Sequence, residues 1–547
     1  MRYDVILITG DAYWDHPTNG AALIKRLLMD KGYSVAVFDK PDFKDSFSRF
    51  GKPRLFYAVS SGCMDSMLAN YTPLKKPREG KRLPDRAVIT YCNKIRENDK
   101  ETPIVIAGVE ASLRRLAHYD YWDNKVRRSI LLDSRADIIA YGMAERQILE
   151  IAIRLKAKKG ILGIRGTVTR QKKLHPDTII LPSFDEVAKD RTRFADSFVM
   201  QYNNRDAFSA RTLAEPYDGF FVVQEPPALP LTTEEMDYLY GLPFTRELPH
   251  EFKNDQMMQA IRFSVTTHRG CFGGCSFCSI GFLQGKRIQS RSIKSIIDEI
   301  KSFTRMKAWR GIVYDLGGPT ANMYGMNCML HDGNVEYISI EDGRRKMMPA
   351  GIVCKRDCLP GPCKNLDRSN APLLSLLREV RAIKGVKKAF VRSGTRYDLM
   401  DDEYINELAA HHVSGQLKVA PEHVNPDVLK LMNKQPIVEF ERFRKRFTKA
   451  SKTAGKQQFL LPYLVVAHPG CGMKEARELA NYIRRNRIAI EQVQVFTPTP
   501  MTLSTCMYWT GMDPFTRKKV YVPYSYGEKK EQKRLLFGGK SSRPWQG

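Results

Sequence analysis

Two series of short apolar runs, each run followed by a helical segment, decide what this chain can fold into. The first series comprises residues 4–9 (DVILIT), 34–38 (SVAVF), 55–60 (LFYAVS), 103–107 (PIVIA) and 137–141 (DIIAY). Runs of this length joined by helices form a parallel sheet covered on both faces. Between the first two runs, Leu23, Leu27 and Leu28 fall at helical spacing before Gly32, which predicts a helix over residues 21–31. Residues 1–155 therefore read as a doubly wound α/β domain of the Rossmann or flavodoxin-like kind. From 156 to 255 the alternation weakens and prolines recur at 226, 227, 230, 243 and 249, so this stretch reads as a connector with short elements. A second series follows at residues 263–267, 311–316, 388–392, 417–420, 459–466 and 493–496. Six such strands suit an open, partial (β/α)6 barrel of the TIM type over residues 256–512, whose ligands sit beyond the carboxyl ends of the strands. Residues 513–547 read as a basic tail. A chain of 547 residues exceeds what one core needs, in keeping with several domains.

The segment 267–278 (THRGCFGGCSFC) follows the first strand of the second series, and Ser292 then caps an amphipathic helix marked by Ile293, Ile296, Ile297, Ile300 and Phe303. Its cysteines thus sit on a loop at the carboxyl end of a strand, where a barrel places its chemistry. The gaps between Cys271, Cys275 and Cys278 let one short loop wrap three thiolates around three corners of an iron–sulfur cube, with Gly270, Gly273 and Gly274 permitting the tight backbone. Only three ligands arise locally, which leaves the fourth iron open. A structural zinc site recruiting His268 is the competing reading, although such sites more often pair cysteines as two separated couples.

CxxxCxxC with an aromatic residue, Phe277, before the last cysteine resembles the signature loop of the radical S-adenosylmethionine (SAM) superfamily. The likeness extends further. DVILITGDAYWDHP (4–17), RRLAHYDYWDNKVRRSILLDSRAD (114–137), HRGCFGGCSFCSI (268–280) and DLGGPTANMYG (315–325) resemble the YgiQ-family radical SAM proteins over nearly the whole chain. The resemblance implies an enzyme that binds a [4Fe-4S] cluster through Cys271, Cys275 and Cys278. It would cleave SAM reductively and use the 5′-deoxyadenosyl radical to abstract hydrogen from a substrate that the resemblance does not name. Gly317 and Gly318 look like the glycine motif whose backbone receives the methionine end of SAM, with Pro319 in place of the usual acidic third residue. Glu422 falls where related enzymes carry a glutamate in a Glu-Ser-Gly turn near SAM, although His423 and Val424 follow it here. Arg392, Ser393 and Arg396 are candidates for the SAM carboxylate or ribose, and Gly470 resembles the backbone that approaches adenine. A one-electron donor such as flavodoxin or ferredoxin is implied as partner.

Three further features remain open at this level. Cys328, Cys354, Cys358 and Cys363, in an insertion at about 320–370, are candidates for a second cluster or a zinc ion, with reduced, unliganded thiols as the alternative. The first domain, through GVEAS (108–112) and ADIIAYGMAE (136–145), resembles cobalamin-binding domains fused to radical SAM enzymes. Its first loop nevertheless carries DHPTNG (15–20), so His16 lacks the spacing of a cobalamin-ligating histidine. The formal charge of +28 suits either an RNA partner or a solvated basic surface, and the stretch LKLMN (429–433) resembles methylthiotransferases. Against RNA, no RNA-recognition signature accompanies the charge. Protein and small-molecule substrates stay open, as does a non-catalytic iron–sulfur or SAM-binding sensor that acts on nucleic acid. No stretch of about 18 apolar residues occurs, which predicts a cytoplasmic protein without a membrane partner.

Overall fold

The computed structural model describes residues 2–42, 46–80, 83–328, 358–491 and 493–537. The first series of apolar runs forms the parallel strands Val5–Thr9, Val35–Asp39, Phe56–Ser60, Ile104–Ala107 and Ile138–Ala140. Numbered along the chain, their order across the sheet is 2-1-3-4-5, the flavodoxin-like arrangement. Both faces are dry because the strands are almost wholly apolar and helices cover them. Leu28, Ile148 and Ile151 lie on one face, and Val88, Tyr91 and Ile95 on the other. The helix Gly20–Asp30 begins where the Asn19 side chain accepts from the Ala22 N–H, the capping expected of asparagine.

The expected connector at 156–255 does consist of short elements, four of which are strands that join the first sheet. Strands Thr167–Gln171, Ile179–Ile180, Leu213–Tyr217 and Phe220–Gln224 extend the first domain to a nine-stranded mixed sheet. The reading missed them because they are not separated by helices in a regular alternation, they join largely antiparallel, and one carries Pro216. Glu215 anchors this extension. It is fully buried, accepts from the Ala117 N–H at 2.9 Å and from the Tyr217 hydroxyl at 2.6 Å, and burial pushes its pKa up to about 7.

The second series forms the barrel. Ser264–Thr266 pairs parallel with Asp315–Gly317, and Ile312–Val313 with Lys388–Ala389. A parallel bridge between Thr395 and Val419 leads to Gln416–Glu422, which pairs with Phe459–Val466, and that strand pairs in turn with Val493–Val495. The six strand positions thus follow one another in chain order, all parallel. Their core is packed with Phe263, Ile300, Phe303, Phe440, Phe443 and Phe447. The helix Ile293–Phe303 starts at Ser292, whose hydroxyl accepts from the Ser295 N–H. The expected basic tail is likewise partly structured. Tyr526–Leu536 is a helix docked on the helix Met473–Arg485, and Lys529 and Gln532 are buried beneath it. Among the described residues no helix is long and apolar enough to cross a membrane.

An acid whose pKa is raised by folding holds its proton more firmly when folded. The Glu215 contribution is therefore fully present below its ordinary value of 4.5 and is lost as pH rises through about 7. Urea unfolding of the native chain and Glu215→Gln across this window should show the native chain losing about 3 kcal/mol relative to the variant. A difference that stays flat with pH contradicts the assignment.

Candidate functional site

The loop carrying Cys271, Cys275 and Cys278 is shaped from both sides. Gly270 has φ +84°, and a Cβ there would lie 1.8 Å from the Arg287 carbonyl oxygen, so only glycine fits. The Gly270 N–H donates to Gln284 Oε1 at 3.2 Å and the Cys271 N–H to the Gly285 carbonyl at 3.2 Å. Further along, the Ser276 N–H donates to Met432 O, the Asn433 side chain to Gly274 O, and the Ser504 N–H to Ser276 O. Every turn of the loop is thereby tied to an element outside it.

Just before the loop, Arg269 is buried and ion-paired with Glu145 of the first domain at 2.6 Å, and its Nε donates to the Tyr240 hydroxyl at 3.1 Å. Burial opposes the Arg269 charge, and Glu145 outweighs it, holding the arginine above its ordinary pKa. A second buried network joins Arg246 and Arg291 through Glu299. Arg246 also reaches His16 Nε2 at 2.7 Å.

The three cysteines line one cavity of about 210 Å3 beyond the carboxyl ends of the barrel strands. Burial pushes the Cys271 thiol up and the Cys278 thiol up to about 12. A cationic iron–sulfur core is the partner that would favour their thiolates instead. Arg396, nine-tenths buried, brings Nη1 to 4.0 Å from Cys275 Sγ while its other nitrogens face Asp398 at 3.1 Å. Glu422 ends its strand at φ +68°, a costly conformation for a residue with a Cβ, and lies buried 3.7 Å from Lys434. Burial raises its pKa and Lys434 opposes that.

Phe277 and Glu422 share the cavity wall with the cysteines, whereas Gly317, Gly318, Ser393 and Gly470 stand back from it. Packing explains their positions. A Cβ on Gly317 would strike Ser393 Oγ, one on Gly318 the His268 ring, and one on Gly470 the Leu431 side chain. The Ser393 hydroxyl is engaged by Asp315 at 2.5 Å. His268 is buried against Thr267 and does not line the cavity, so it supplies no fourth ligand to a zinc site.

Sequence reasoning missed Ser276, Thr395, Tyr397 and Gln435. All four line the cavity, and Ser276 Oγ, Thr395 Oγ1, Tyr397 OH and Gln435 Oε1 are buried with no hydrogen-bond partner among the described residues. Buried polar atoms are rarely left so. Four together around three thiols fit a polar ligand beside a cluster, which is the chemistry of SAM. No sequence signal marks them as a set, because they are ordinary polar residues drawn from three separate stretches: Ser276 within the cysteine loop, Thr395 and Tyr397 together, and Gln435.

Cobalamin does not fit in the same way. At the switch point of the first sheet, Asp11 accepts from the Cys63 N–H at 2.6 Å and closes the crevice between the first and third strands. His16 is buried between Thr18 and Arg246. Between this domain and the cluster loop remains a cavity of about 80 Å3, under half the size of the thiol cavity, whereas a corrin is several times larger than SAM.

Comparison with known proteins adds the following. Residues 1–264 match the family model described as Radical SAM N-terminal, residues 265–483 that of the Radical SAM superfamily, and residues 491–536 a domain of unknown function, DUF3362. A UPF0313 protein of Methanocella arvoryzae is 46% identical, over 98% of this chain and 90% of that one. A UPF0313 protein of Clostridium perfringens is 44% identical, over 97% and 82%. Among solved structures, the radical SAM methyltransferase TsrM of Kitasatospora setae, with cobalamin and a [4Fe-4S] cluster bound, superposes with a TM-score of 0.55 at 15% identity, covering 92% of this chain and 77% of that one.

Glu145→Ala should cost about 3–5 kcal/mol and lower the iron bound on reconstitution, because it strands the Arg269 charge in the interior. The double variant Glu145→Leu/Arg269→Met should recover most of both, measured by thermal unfolding and iron content. Equal loss in the single and double variants contradicts this. Reconstitution with hydroxocobalamin followed by desalting should leave no corrinoid absorption band, and a retained band contradicts the fit.

Proposed function

Because the chain belongs to the UPF0313 family and is a radical SAM enzyme of α/β architecture that uses a [4Fe-4S] cluster and SAM, we propose that Cys271, Cys275 and Cys278 hold its cluster and that the adjoining polar wall holds SAM. The observation that carries this is the shared cavity. Three thiols, the strained carboxylate of Glu422, and the unpartnered polar atoms of Ser276, Thr395 and Gln435 all belong to residues that line it.

When bound, the cluster supplies one electron that breaks a sulfonium carbon–sulfur bond of SAM, giving methionine and a 5′-deoxyadenosyl radical. The chain's own residues prepare for this. Glu422 accepts from a donor group of SAM, and Lys434, 3.7 Å away, opposes the upward push of burial on that carboxyl. Arg396 offers a guanidinium beside Cys275, where it eases the negative charge of the reduced site and orients a carboxylate. Gly317 and Gly318 carry the backbone toward Pro319 and Thr320 at the cavity edge, and Phe277 closes the wall on the loop side. Gly470 packs on the Leu431 side chain behind the cavity, and Ser393 fixes Asp315 and the turn that leads to Thr395.

The substrate enters from the side formed by Tyr202, Arg205 and Lys286, the Arg205 guanidinium lying over the Tyr202 ring. Cationic and aromatic groups there, with a net charge of +28, favour an anionic or planar substrate, RNA being the polyanion such a charge attracts. A low-potential one-electron protein of the flavodoxin or ferredoxin class supplies the electron.

With dithionite under anaerobic conditions, the reconstituted chain should form 5′-deoxyadenosine and methionine from SAM, and Cys275→Ala should fall to background. Sustained cleavage by that variant overturns the cluster assignment. Glu422→Gln should bind SAM at least about tenfold more weakly, about 1.4 kcal/mol, with iron content unchanged. Unaltered affinity removes Glu422 from the SAM site.

A further inference from the structure

A second set of thiols faces a second cavity. Cys328, Cys358 and Cys363 come from two stretches of chain and line one space of about 390 Å3. Backbone bonds clip the two stretches together. Cys328 forms an antiparallel bridge with Leu366, and the Asp367 N–H donates to Asn327 O at 2.8 Å. The Cys363 N–H donates to Cys358 O and the Leu366 N–H to Cys363 O, each at 3.0 Å, closing a compact turn around the latter two cysteines. None of the three is in a disulfide. Cys354 lies outside the described residues.

These thiols differ from the structural cysteines of the same chain. Cys92 and Cys506 are wholly buried on helices among apolar neighbours, as an inert cysteine should be. Cys328, Cys358 and Cys363 are half-buried and share a cavity wall with Arg211 and Arg287. Guanidinium groups suit an anionic ligand set such as thiolates with inorganic sulfide, and Asp206, 3.5 Å from Arg287, offsets only part of that charge.

Two metal chemistries make different demands on three thiols. Among the described residues no three histidine, cysteine or acidic side chains converge on a single-ion position, and this holds for the signature cysteines as well as for these. A zinc ion needs its sulfurs within about 2.3 Å of one point. A multi-iron cluster takes them at separate corners. The second set also joins the first site physically. Cys358 and Cys363 pack on the apolar cluster of Phe272, Met323, Met326 and Leu359, against which Cys271 also packs.

We propose that Cys328, Cys358 and Cys363 ligate a second iron–sulfur cluster, separate from the one on the signature loop. Its content is tested independently of SAM cleavage, so its failure leaves the first site standing. The full chain, reconstituted anaerobically with ferrous iron and sulfide, should hold about eight irons, and the Cys271→Ala/Cys275→Ala/Cys278→Ala variant about four, with matching sulfide and an electron paramagnetic resonance signal on reduction. The complementary variant, Cys328→Ser/Cys363→Ser, should fall from about eight irons to about four, and it decides the matter if the triple alanine variant does not fold. About four irons in the full chain with none in the triple variant, zinc in place of the extra iron, or an unchanged count in the complementary variant overturns the proposal.

Discussion

The structure turns on a single short loop that brings three thiols to the wall of one cavity. Such a loop has no hydrophobic core of its own, and its tight turns require glycine at 270 and 274, both at positive φ. Its shape must therefore come from its surroundings. The backbone of 270–276 is bonded to the following helix, to the turn at 432–433 and to the helix that begins at Leu503. The Arg269–Glu145 pair fastens the strand before it to the first domain. A buried pair of this kind adds little net stability against an apolar alternative, but breaking it is costly. Its value here is that it sets one domain against the other at the loop.

That constraint gives the first domain a structural part in shaping the cluster loop. Its sheet has the flavodoxin-like order, yet the crevice at the switch point is filled by Asp11, and the helix Ile280–Leu283 packs on the helix Gly108–Leu113. Antiparallel strands through Gln224 widen the sheet, and the helix Arg191–Asn203 with the residues after it brings Tyr202 and Arg205 to the thiol cavity. The domain thus acts as a wall and brace for the barrel.

Much of the fold was legible because strands buried on both faces are written as unbroken apolar runs. All five strands of the first series stand out in this way; the barrel strands, several of which alternate buried and exposed residues as Gln416–Glu422 and Val493–Val495 do, stood out by recurring between helices, and the signature cysteines by spacing. Strands such as Thr167–Gln171 and Leu213–Tyr217 did not, since they are half polar and stabilised by partners distant in sequence. The helix Tyr526–Leu536 was hidden by its charge, the reading having no means of seeing that Lys529 is buried among Tyr121, Tyr508 and Tyr526. In the site, Glu422 was found by its motif. Thr395, Ser276 and Gln435 were not, because their significance lies in lacking partners once folded, a property that no linear pattern carries.

The central claim is that SAM meets the iron left open by Cys271, Cys275 and Cys278. Electron–nuclear double resonance on the reduced cluster, with SAM carrying 15N in its amino group and 17O in its carboxylate, addresses it directly. The account predicts resolved couplings from both nuclei that vanish in the signature-cysteine variant. A reduced cluster in the native chain that shows neither coupling at saturating SAM would contradict it.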